Sequence, residues 1–253
     1  MTAAAGSPAS GERSFADLHS HSRASYDSLA DPAAMIERAL RLGLTHLAVT
    51  DHERIDSARR AADLAGDRLV VIVGEEVRTR DGDLIGLFLE QAVKPGLSAA
   101  ETAAAIHEQG GLVGLPHPFD GLRSSGGSKA GDATDRQEEL AALVDYVEIH
   151  NARAYRDANP RAAGYATRHR LPGVASSDAH SVMEVGIAYT ILPGAFSDAE
   201  GLRRLLPSAT VQAGRASYYV RLWTPAAKLA QRLRGNGRIR AGEPRAPEPG
   251  DPG

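Results

Sequence analysis

The stretch FADLHSH at residues 15–21 decides how this chain of 253 residues is interpreted. It is a short apolar run that ends in two histidines, His19 and His21, one residue apart. In an extended strand the side chains of residues i and i+2 point to the same side, so both imidazoles can reach one metal ion. The stretch therefore predicts a strand that ends in a metal-binding pair.

The same chemistry returns five times further along the chain. Polar residues that can bind metals follow apolar runs as Asp51-His52, Glu75-Glu76, His117, Glu148 with His150 and Asn151, and Asp178 with His180. In a βα barrel the carboxyl ends of all strands converge on one face, and catalytic groups come from several strand ends. We therefore expect these clusters to meet in one shallow bowl.

Strand-like and helix-like segments alternate from Phe15 to Leu192, as is typical of βα units around a parallel sheet. We count about seven strands, and we expect a hairpin over residues 77–90 to leave the barrel as an excursion. The sequence thus predicts an α/β barrel at residues 13–195 and closing helices at residues 196–234. The ends, residues 1–12 and 235–253, are predicted to be disordered.

Composition narrows the classes of function. The net charge is −3, which predicts no general surface for polyanions. No stretch approaches the ~20 apolar residues of a membrane span, and the N-terminus lacks the pattern of a secretory signal, so we expect a cytoplasmic protein without a membrane partner. The chain has no cysteine, which excludes disulfides and thiolate metal sites.

The number of acidic groups in the expected bowl indicates metal ions. Carboxylates packed together raise one another's pKa, and divalent cations remove that difficulty because they favour ionised carboxylates and neutral imidazoles. About nine potential ligands suit two or three ions. Nitrogen and oxygen ligands favour Mn, Zn or Fe, with Co and Mg as further options.

At this point the residues resemble a known family, the PHP (polymerase and histidinol phosphatase) superfamily of metal-dependent phosphoesterases. The similarity lies in DLHSH at 17–21, VTDH at 49–52, GEEV at 74–77 and SDAH at 177–180. It runs from about Ser14 to Leu192, and residues 215–228 are similar to the C-terminal extension of stand-alone members. The resemblance implies a distorted seven-stranded (βα)7 barrel with a trinuclear metal centre.

The resemblance also implies a set of metal ligands, with one departure. The matching residues are His19, His21, Asp27, His52, Glu76, His117, Asp178 and His180. On the fifth strand, where related members have a histidine, Asn151 falls at the position and His150 lies one residue early, so both remain candidates and the third ion is expected to be loosely held or absent. Asp51 is expected to hold a neighbouring imidazole, and three other histidines are expected to lie outside the site: His46, His107 and His169.

The implied reaction is hydrolysis of a phosphate ester by a hydroxide held between two metal ions. Asp178 would accept a proton from the water, and His180 or His52 would donate one to the leaving group. Arg23 and Arg153 are predicted to clamp the phosphate, because a guanidinium binds phosphate oxygens bidentately. Arg123 and Lys129, in a Gly/Ser-rich loop, are further candidates to contact substrate.

The substrate remains open at the level of sequence. We expect a small phosphorylated metabolite, such as histidinol phosphate, or a nucleotide or short oligonucleotide, and we find no basic or aromatic stripe for a longer strand. An amide or ring hydrolase of the amidohydrolase type is an alternative, although no lysine lies near a strand end. A non-catalytic, metal-stabilised regulatory module is another, although the ligand set is nearly complete.

Overall fold

The computed structural model of the protein describes residues 13–120, 138–155, 157–217 and 223–239. Three predicted features lie outside these ranges: the N-terminal segment at residues 1–12, the loop that carries Arg123 and Lys129, and the tail from residue 240 onward. The predicted helix from Asp135 is described only from residue 138, and residues 138–141 are helical.

The described strands form one nine-stranded sheet. They are β1 (Ser14–Asp17), β2 (His46–Val49), β3 (Val70–Arg78), β4 (Asp83–Leu87), β5 (Leu112–Leu115), β6 (Tyr146–Asn151), β7 (Gly173–Ser176), β8 (Tyr189–Leu192) and β9 (Thr210–Gln212). Their order in the sheet is β7-β6-β5-β4-β3-β2-β1-β8-β9. The pairs β1–β2, β2–β3, β5–β6 and β6–β7 are parallel, whereas β4, β8 and β9 pair antiparallel to their neighbours.

The sheet curls until its first and last parts meet. The Thr190 hydroxyl of β8 donates to Ala175 O of β7 and accepts from Ala175 N, at 2.9 and 3.0 Å. Beyond the strands, Ser20 and Ala179 form a parallel bridge between the chain that follows β1 and the chain that follows β7. The result is a nearly closed α/β barrel, which confirms the predicted fold class.

Two details of the fold prediction were wrong. The hairpin forms as expected, with Gly74 opposite Leu87 and Arg78 opposite Asp83, but β4 also pairs with β5 and so lies inside the sheet. Leu84 and Ile85 are both fully buried, because this strand is covered on both of its faces. Strands β4 and β9 raise the count from the predicted seven to nine.

Besides the helical residues 138–141, six helices of the described ranges cover the sheet and close its end: α1 (Pro32–Arg41), α2 (Asp56–Ala65), α3 (Ala99–His107), α4 (Ala158–His169), α5 (Ala199–Leu205) and α6 (Trp223–Leu233). Asp31 caps α1 by accepting from Ala34 N, as predicted. Ser98 and Glu101 form the predicted capping box of α3. No helix in the described ranges is long and apolar enough to cross a bilayer.

The core divides between the two faces of the sheet. One cluster joins Leu18, just after β1, and Ile72, Leu112 and Val174, from β3, β5 and β7, with Leu202 of α5. Other clusters pack α1 and α2 against β2, and α3 and α4 against β3 to β6. Since apolar side chains fill the barrel and its helical coat, the polar residues that follow the strands are left at one rim.

Candidate metal centre

Backbone hydrogen bonds between strand ends bring the predicted motifs together. Asp178 N donates to His19 O at 2.9 Å, and His21 N donates to Ala179 O at 2.8 Å. On the other side of the rim, His52 and Glu76 form a parallel bridge. The first, second, third and fourth motifs are therefore adjacent although the chain separates them widely.

The first group of ligand atoms consists of His19, His21 and Glu76, with Asp178 beside them. The Nε2 atoms of His19 and His21 are 2.9 Å apart. Glu76 Oε2 lies 3.4 and 3.2 Å from these two nitrogens. Asp178 Oδ1 lies 3.5 Å from His21 Nε2. All four side chains are buried, so they form a compact set of nitrogen and oxygen donors.

The second group consists of His21, His52 and His180, whose ligand atoms lie within 4.8 Å of one another. Asp27 completes it, because its Oδ2 lies 3.5 Å from His52 Nε2 and 3.4 Å from His180 Nε2. His21 belongs to both groups and joins them. The structure thus brings seven predicted ligands into two adjoining sets.

Three observations fit these residues to divalent ions. Asp27 Oδ1 is buried and accepts no hydrogen bond from any described residue, which is costly unless a cation or water satisfies it. The paired Nε2 atoms of His19 and His21 face each other at a distance that a shared ion or proton must mediate. The donors are imidazoles and carboxylates, which suit divalent transition metals.

The histidines of the site divide into charged and neutral groups. Burial opposes the charge on His19, but Glu148 and Glu76 outweigh it and raise its pKa to about 10. At His52 burial again opposes the charge, and Glu76 and Asp27 raise the pKa to about 9. Burial and the neighbouring His52 lower the pKa of His21 to about 4. Divalent ions would take the place of the protons on the first two.

Three carboxylates of the site have lowered pKa values despite their burial. Burial favours the neutral acid, but His180 and His52 hold the pKa of Asp27 well below its usual range. His52 and the other surrounding imidazoles do the same for Glu76. Glu148, beside His19, has its pKa lowered to about 2 against the effect of burial. The site therefore carries the negative charge that metal binding requires.

The third predicted ligand set is incomplete. His117 Nε2 lies 3.4 Å from Glu76 Oε1. Asn151 lies in the site, but its Nδ2 donates to Glu148 Oε2 at 3.0 Å and to Asp178 Oδ2 at 3.2 Å. Its Oδ1 accepts from Arg153 N at 2.9 Å. The amide oxygen that would bind an ion is thus already engaged.

His150 points away from the site. Its Nε2 bonds to Gly214 O at 2.7 Å, and its Nδ1 contacts the Asn159 amide. The cause is a register shift in β6, where Glu148 pairs with Val174 and His150 with Ala175. A bulge of this kind re-aims the following side chains. It places Glu148 and Asn151 on the inner face together.

Two buried carboxylates support the ligands, and one of them differs from the prediction. Asp51 forms no hydrogen bond with an imidazole of the described residues; it accepts from Ser22 N, Ser22 Oγ and Ser25 Oγ. Its influence reaches His21 through Ser25, whose Oγ lies 3.2 Å from His21 Nδ1. Glu148, by contrast, holds His19 Nδ1 at 2.9 Å and so directs Nε2 of that ring toward the cluster.

Two of the predicted ligands have left-handed backbone conformations. His117 has φ of 29° and Asp178 has φ of 50°. Such values are uncommon for residues with a side chain and carry strain, which concentrates at functional sites. At Asp178 the bond from its N–H to His19 O helps to hold this conformation.

The structure places only one of the two arginines that were predicted to bind the phosphate at the site. Arg153 is buried, donates to Glu184 Oε1 and Thr224 Oγ1 at 2.7 Å each, and lines the cavity beside the ligands. Arg23 pairs with Asp31 at 3.0 Å and does not line this cavity. Of the two arginines, only Arg153 is brought to the site.

Residues that the sequence did not single out complete the cavity, whose volume is about 240 Å³. They are Tyr26, Asp83, Thr224, Lys228 and Arg238. Three of them come from α6 and the chain that follows it, within or just beyond the predicted extension. Gly235 to Arg238 were expected to be disordered, yet Arg238 donates to Glu53 Oε1 at 3.1 Å. The sequence signal that could have indicated these residues was a C-terminal helix with basic residues spaced along it.

A barrel that collects buried imidazoles and carboxylates at one rim defines a metal-binding α/β protein. The PHP domain model matches residues 17–153, and the PHP-associated model matches residues 156–211. An uncharacterized protein of Methanocaldococcus jannaschii is 34% identical over 174 residues, which is 68% of each chain. The chain therefore belongs to the PHP family.

Solved structures agree in fold. A two-domain protein of Bacteroides vulgatus, containing a predicted PHP-like metal-dependent phosphoesterase, has a TM-score of 0.66 and 18% identity over 81% of this chain and 66% of its own. A lesion-specific endonuclease of Pyrococcus furiosus has a TM-score of 0.58 and 18% identity over 79% of this chain and 58% of its own. At these identities the likeness concerns the fold alone.

Proposed function

We propose that this protein is a metal-dependent phosphoesterase that hydrolyses the ester of a small phosphorylated metabolite or nucleotide. The observation that carries the proposal is the shared cavity of two metal-ligand groups and one buried guanidinium, that of Arg153. Divalent ions bound there, of Mn, Zn or Fe, would supply the charge that activates water and neutralises the phosphate oxygens.

We assign the ligands by their grouping. His19, His21, Glu76 and Asp178 would hold one ion, and Asp27, His52 and His180 would hold a second. His117 and the other oxygen of Glu76 would offer two donors to a third. Asn151 would join them only after releasing the Arg153 amide from its oxygen. Two ions are therefore the occupancy that this chain supports best.

The proton transfers are assigned to residues that line the cavity. Asp178 would accept the proton of the attacking water, since Asn151 fixes one of its oxygens at 3.2 Å. His180 or His52 would donate a proton to the leaving oxygen only if that ring is not bound to the second ion, because a metal-bound imidazole has lost the proton in question. Each of these three side chains lines the cavity.

Arg153 would orient the phosphate. Its guanidinium is held by Glu184 and Thr224, so little side-chain entropy remains to be lost when an anion binds. Each terminal nitrogen carries a second N–H, which would be available to a phosphate oxygen. We assign this role to Arg153 and not to Arg23, because Asp31 holds the latter elsewhere.

The test is release of phosphate from p-nitrophenyl phosphate, bis-p-nitrophenyl phosphate and a nucleotide panel, with Mn, Zn and Mg. We expect turnover with at least one metal. His19→Ala or Asp178→Asn should lower kcat by about 10²-fold or more while the circular dichroism spectrum is retained. His107→Ala is the control, since this exposed histidine pairs with Asp145 far from the cavity.

Two results would contradict the proposal. One is silence across all substrates and metals, which would favour the regulatory alternative. The other is near-wild-type turnover by both His19→Ala and Asp178→Asn, which would remove these residues from the reaction. Hydrolysis of amide substrates alone would favour the amidohydrolase alternative.

A further inference from the structure

The hydroxyl of Thr224 lies at the wall of the metal cavity. Thr224 belongs to the first turn of α6, and its Oγ1 accepts a hydrogen bond from Arg153 Nη2 at 2.7 Å. Thr224 and Arg153 both line the cavity. A helix from the C-terminal part of the chain is thus in direct contact with the arginine that we assign to the phosphate.

The bond from Arg153 decides what the Thr224 hydroxyl can do. A guanidinium has N–H donors and no acceptor, so Thr224 Oγ1 can only accept in this bond. The single hydrogen of the hydroxyl must therefore be directed to another partner. Among the described residues, no oxygen or nitrogen accepts a hydrogen bond from it. Since Thr224 is only partly buried and lines the cavity, the acceptor must be a molecule that enters this space.

Arg153 holds the hydroxyl firmly because it is itself held from a second side. Glu184 Oε1 accepts from Arg153 Nη1 at 2.7 Å, and Glu184 Oε2 accepts from His180 N at 3.0 Å. Arg153 and Glu184 are both buried. The guanidinium is therefore fixed between Glu184 and Thr224. Hydrogen bonds in such a chain polarise one another, which makes the Thr224 hydroxyl a stronger donor.

We propose that Thr224 is a substrate-binding residue, whose hydroxyl donates to a non-bridging oxygen of the phosphate at the metal ligands. This inference rests on the proposed function and adds a residue of α6 to its binding site. A phosphate oxygen is a fitting acceptor, because it is negatively charged and carries no hydrogen. An amide N–H at the same point would compete with Arg153 for the hydroxyl oxygen. Thr224 therefore favours a phosphate ester over an amide.

A purely structural role for Thr224 would end at Arg153, where the hydroxyl would anchor α6 to the barrel. The helix has other anchors for that purpose. The Gln231 amide Nε2 lies 2.6 Å from Arg23 O and 2.6 Å from Ser28 O. We therefore expect α6 to stay docked when the Thr224 hydroxyl is removed, so that the variants below report on binding.

The test is calorimetric titration of the Mn-loaded full chain with inorganic phosphate, which needs no turnover. Thr224→Val keeps the shape of the side chain but removes its hydroxyl, and we expect it to weaken phosphate binding about tenfold. Thr224→Ser keeps the hydroxyl and should bind phosphate nearly as wild type does. The matched control is Thr167→Val, since this threonine is exposed on α4 and its hydroxyl donates to Ala163 O. Wild-type affinity in Thr224→Val would overturn the proposal.

A second pair of variants separates direct contact from positioning of Arg153. A Thr224 that only positions Arg153 would have no effect once this arginine is removed, whereas a hydroxyl that contacts the phosphate would still contribute. We expect Arg153→Ala/Thr224→Val to bind phosphate at least about threefold more weakly than Arg153→Ala. Both variants retain every predicted metal ligand, so phosphate binding stays measurable. Equal affinities of the two would reject the direct contact.

Amide exchange shows whether α6 is still in place in Thr224→Val. A peptide covering residues 22–30 reports on docking, because Gln231 contacts backbone oxygens within it. Weaker phosphate binding with unchanged exchange supports the contact. Weaker binding together with faster exchange would assign the loss to undocking of α6 and contradict the proposal.

Turnover distinguishes this inference from the proposed function. In an active phosphoesterase, Thr224→Val should lower kcat/KM by the same factor for p-nitrophenyl phosphate and AMP, because the phosphate is common to both. A loss confined to one ester would place the hydroxyl at the leaving group and refute the assignment. Without any turnover the proposed function fails, yet a phosphate affinity that depends on Thr224 still supports the contact. Wild-type protein that binds no phosphate rejects it.

Discussion

Glu148 organises more of the site than any residue outside the motifs. One of its oxygens lies 2.9 Å from His19 Nδ1, and the other accepts from His117 N and from Asn151 Nδ2. It thereby fixes one imidazole, one loop and one amide at the same time. Carboxylates behind metal-bound histidines commonly set the orientation of the ring, and Glu148 has the placement for that task.

His46 illustrates a histidine whose burial serves stability. Its ring stacks on Phe196 with centroids 3.9 Å apart, and its Nε2 bonds to Phe196 O at 2.8 Å. Burial lowers its pKa from 6.5 to about 4. The folded protein therefore holds this imidazole neutral at pH values where the unfolded chain would protonate it.

The consequence is a loss of stability in acid. Because the folded pKa lies below the unfolded one, the unfolded state binds the extra proton as the pH falls from 6.5 toward 4. We expect His46 to remove about 2 kcal/mol of unfolding free energy between pH 7.5 and pH 5. Urea unfolding at both pH values should show a correspondingly smaller loss in His46→Gln.

The exposed His107 provides the control for this measurement. His107→Gln should keep the pH dependence of the wild-type protein. An equal pH dependence in wild type and His46→Gln would contradict the assignment.

At the scale of residues, the sequence singled out the side chains that the structure brings together at the rim but not the residues that support them. His19, Glu76 and Asp178 occur in short motifs whose spacing reflects local strand geometry, and such geometry can be read from the chain. Tyr26, Asp83 and Lys228 meet the cavity through tertiary packing, for which one sequence provides no spacing rule. Asp51 shows the same limit, because only the folded loop reveals the serine between it and His21.

At the scale of elements, the bulge in β6 explains why sequence alignment left two candidates. Regular alternation would place Glu148 and His150 on one face, and Asn151 on the other. The register shift reverses the positions of the last two. A bulge depends on pairing with β7 and therefore could not be foreseen from the residues of β6 alone.

Helix α6 is tied to the loop that carries Tyr26 and Asp27. The Gln231 amide Nε2 lies 2.6 Å from Arg23 O, 3.0 Å from Ser25 O and 2.6 Å from Ser28 O. Asn236 Nδ2 donates to Ala24 O at 3.0 Å. These contacts fix the loop from outside the barrel, so the C-terminal helix contributes to the placement of a predicted ligand.

Gln231→Leu tests this connection. The substitution keeps the volume but leaves buried carbonyls without a donor, which costs about 1–3 kcal/mol. We expect a lower melting temperature and faster amide exchange in a peptide covering residues 22–30. Leu233→Gln, at an 81% exposed position of the same helix, should change neither. Unaltered exchange in Gln231→Leu would show that the loop holds its conformation without α6.

At the scale of the whole molecule, the alternation of segments predicted βα units around a parallel sheet, and the resemblance to the PHP family implied that the sheet closes into a barrel. The runs that became β2, β5 and β7 are short, apolar and followed by polar residues, so their type and direction were predictable. Strand β4 was assigned to an excursion because an antiparallel hairpin does not by itself show what lies on its far side. Its pairing with β5 is a tertiary fact.

Removal of metal should destabilise the entire barrel. The ligands join the ends of β1, β3 and β7 with the loop after β2, so ions that bind only the folded state stabilise all of them together. When the free ion concentration is about 100 times the Kd, binding adds about 3 kcal/mol to the unfolding free energy for each site. This corresponds to a shift in Tm of roughly 5–10 °C per site for a chain of this size.

Thermal unfolding with and without EDTA measures this effect. Wild-type protein should lose the stated shift and regain it with added Mn or Zn. His19→Ala, which lacks a ligand of the first group only, should lose about half of the response to either treatment. Equal melting temperatures of wild-type protein in EDTA and in excess metal would argue that no ion stabilises the fold.

The seam between the ends of β1 and β7 joins residues about 160 positions apart, as in the bond from Ser177 N to Asp17 Oδ1. A nascent chain that has emerged only as far as β6 already contains most of the histidines of the site and Glu76. It still lacks β7 and the residues after β7 that pair with the end of β1. The SDAH segment at residues 177–180 must emerge from the ribosome before the two groups of ligand atoms can assemble. Any ion that binds both groups of ligand atoms would therefore be captured late in biosynthesis, and a product terminated before Asp178 would lack a complete site.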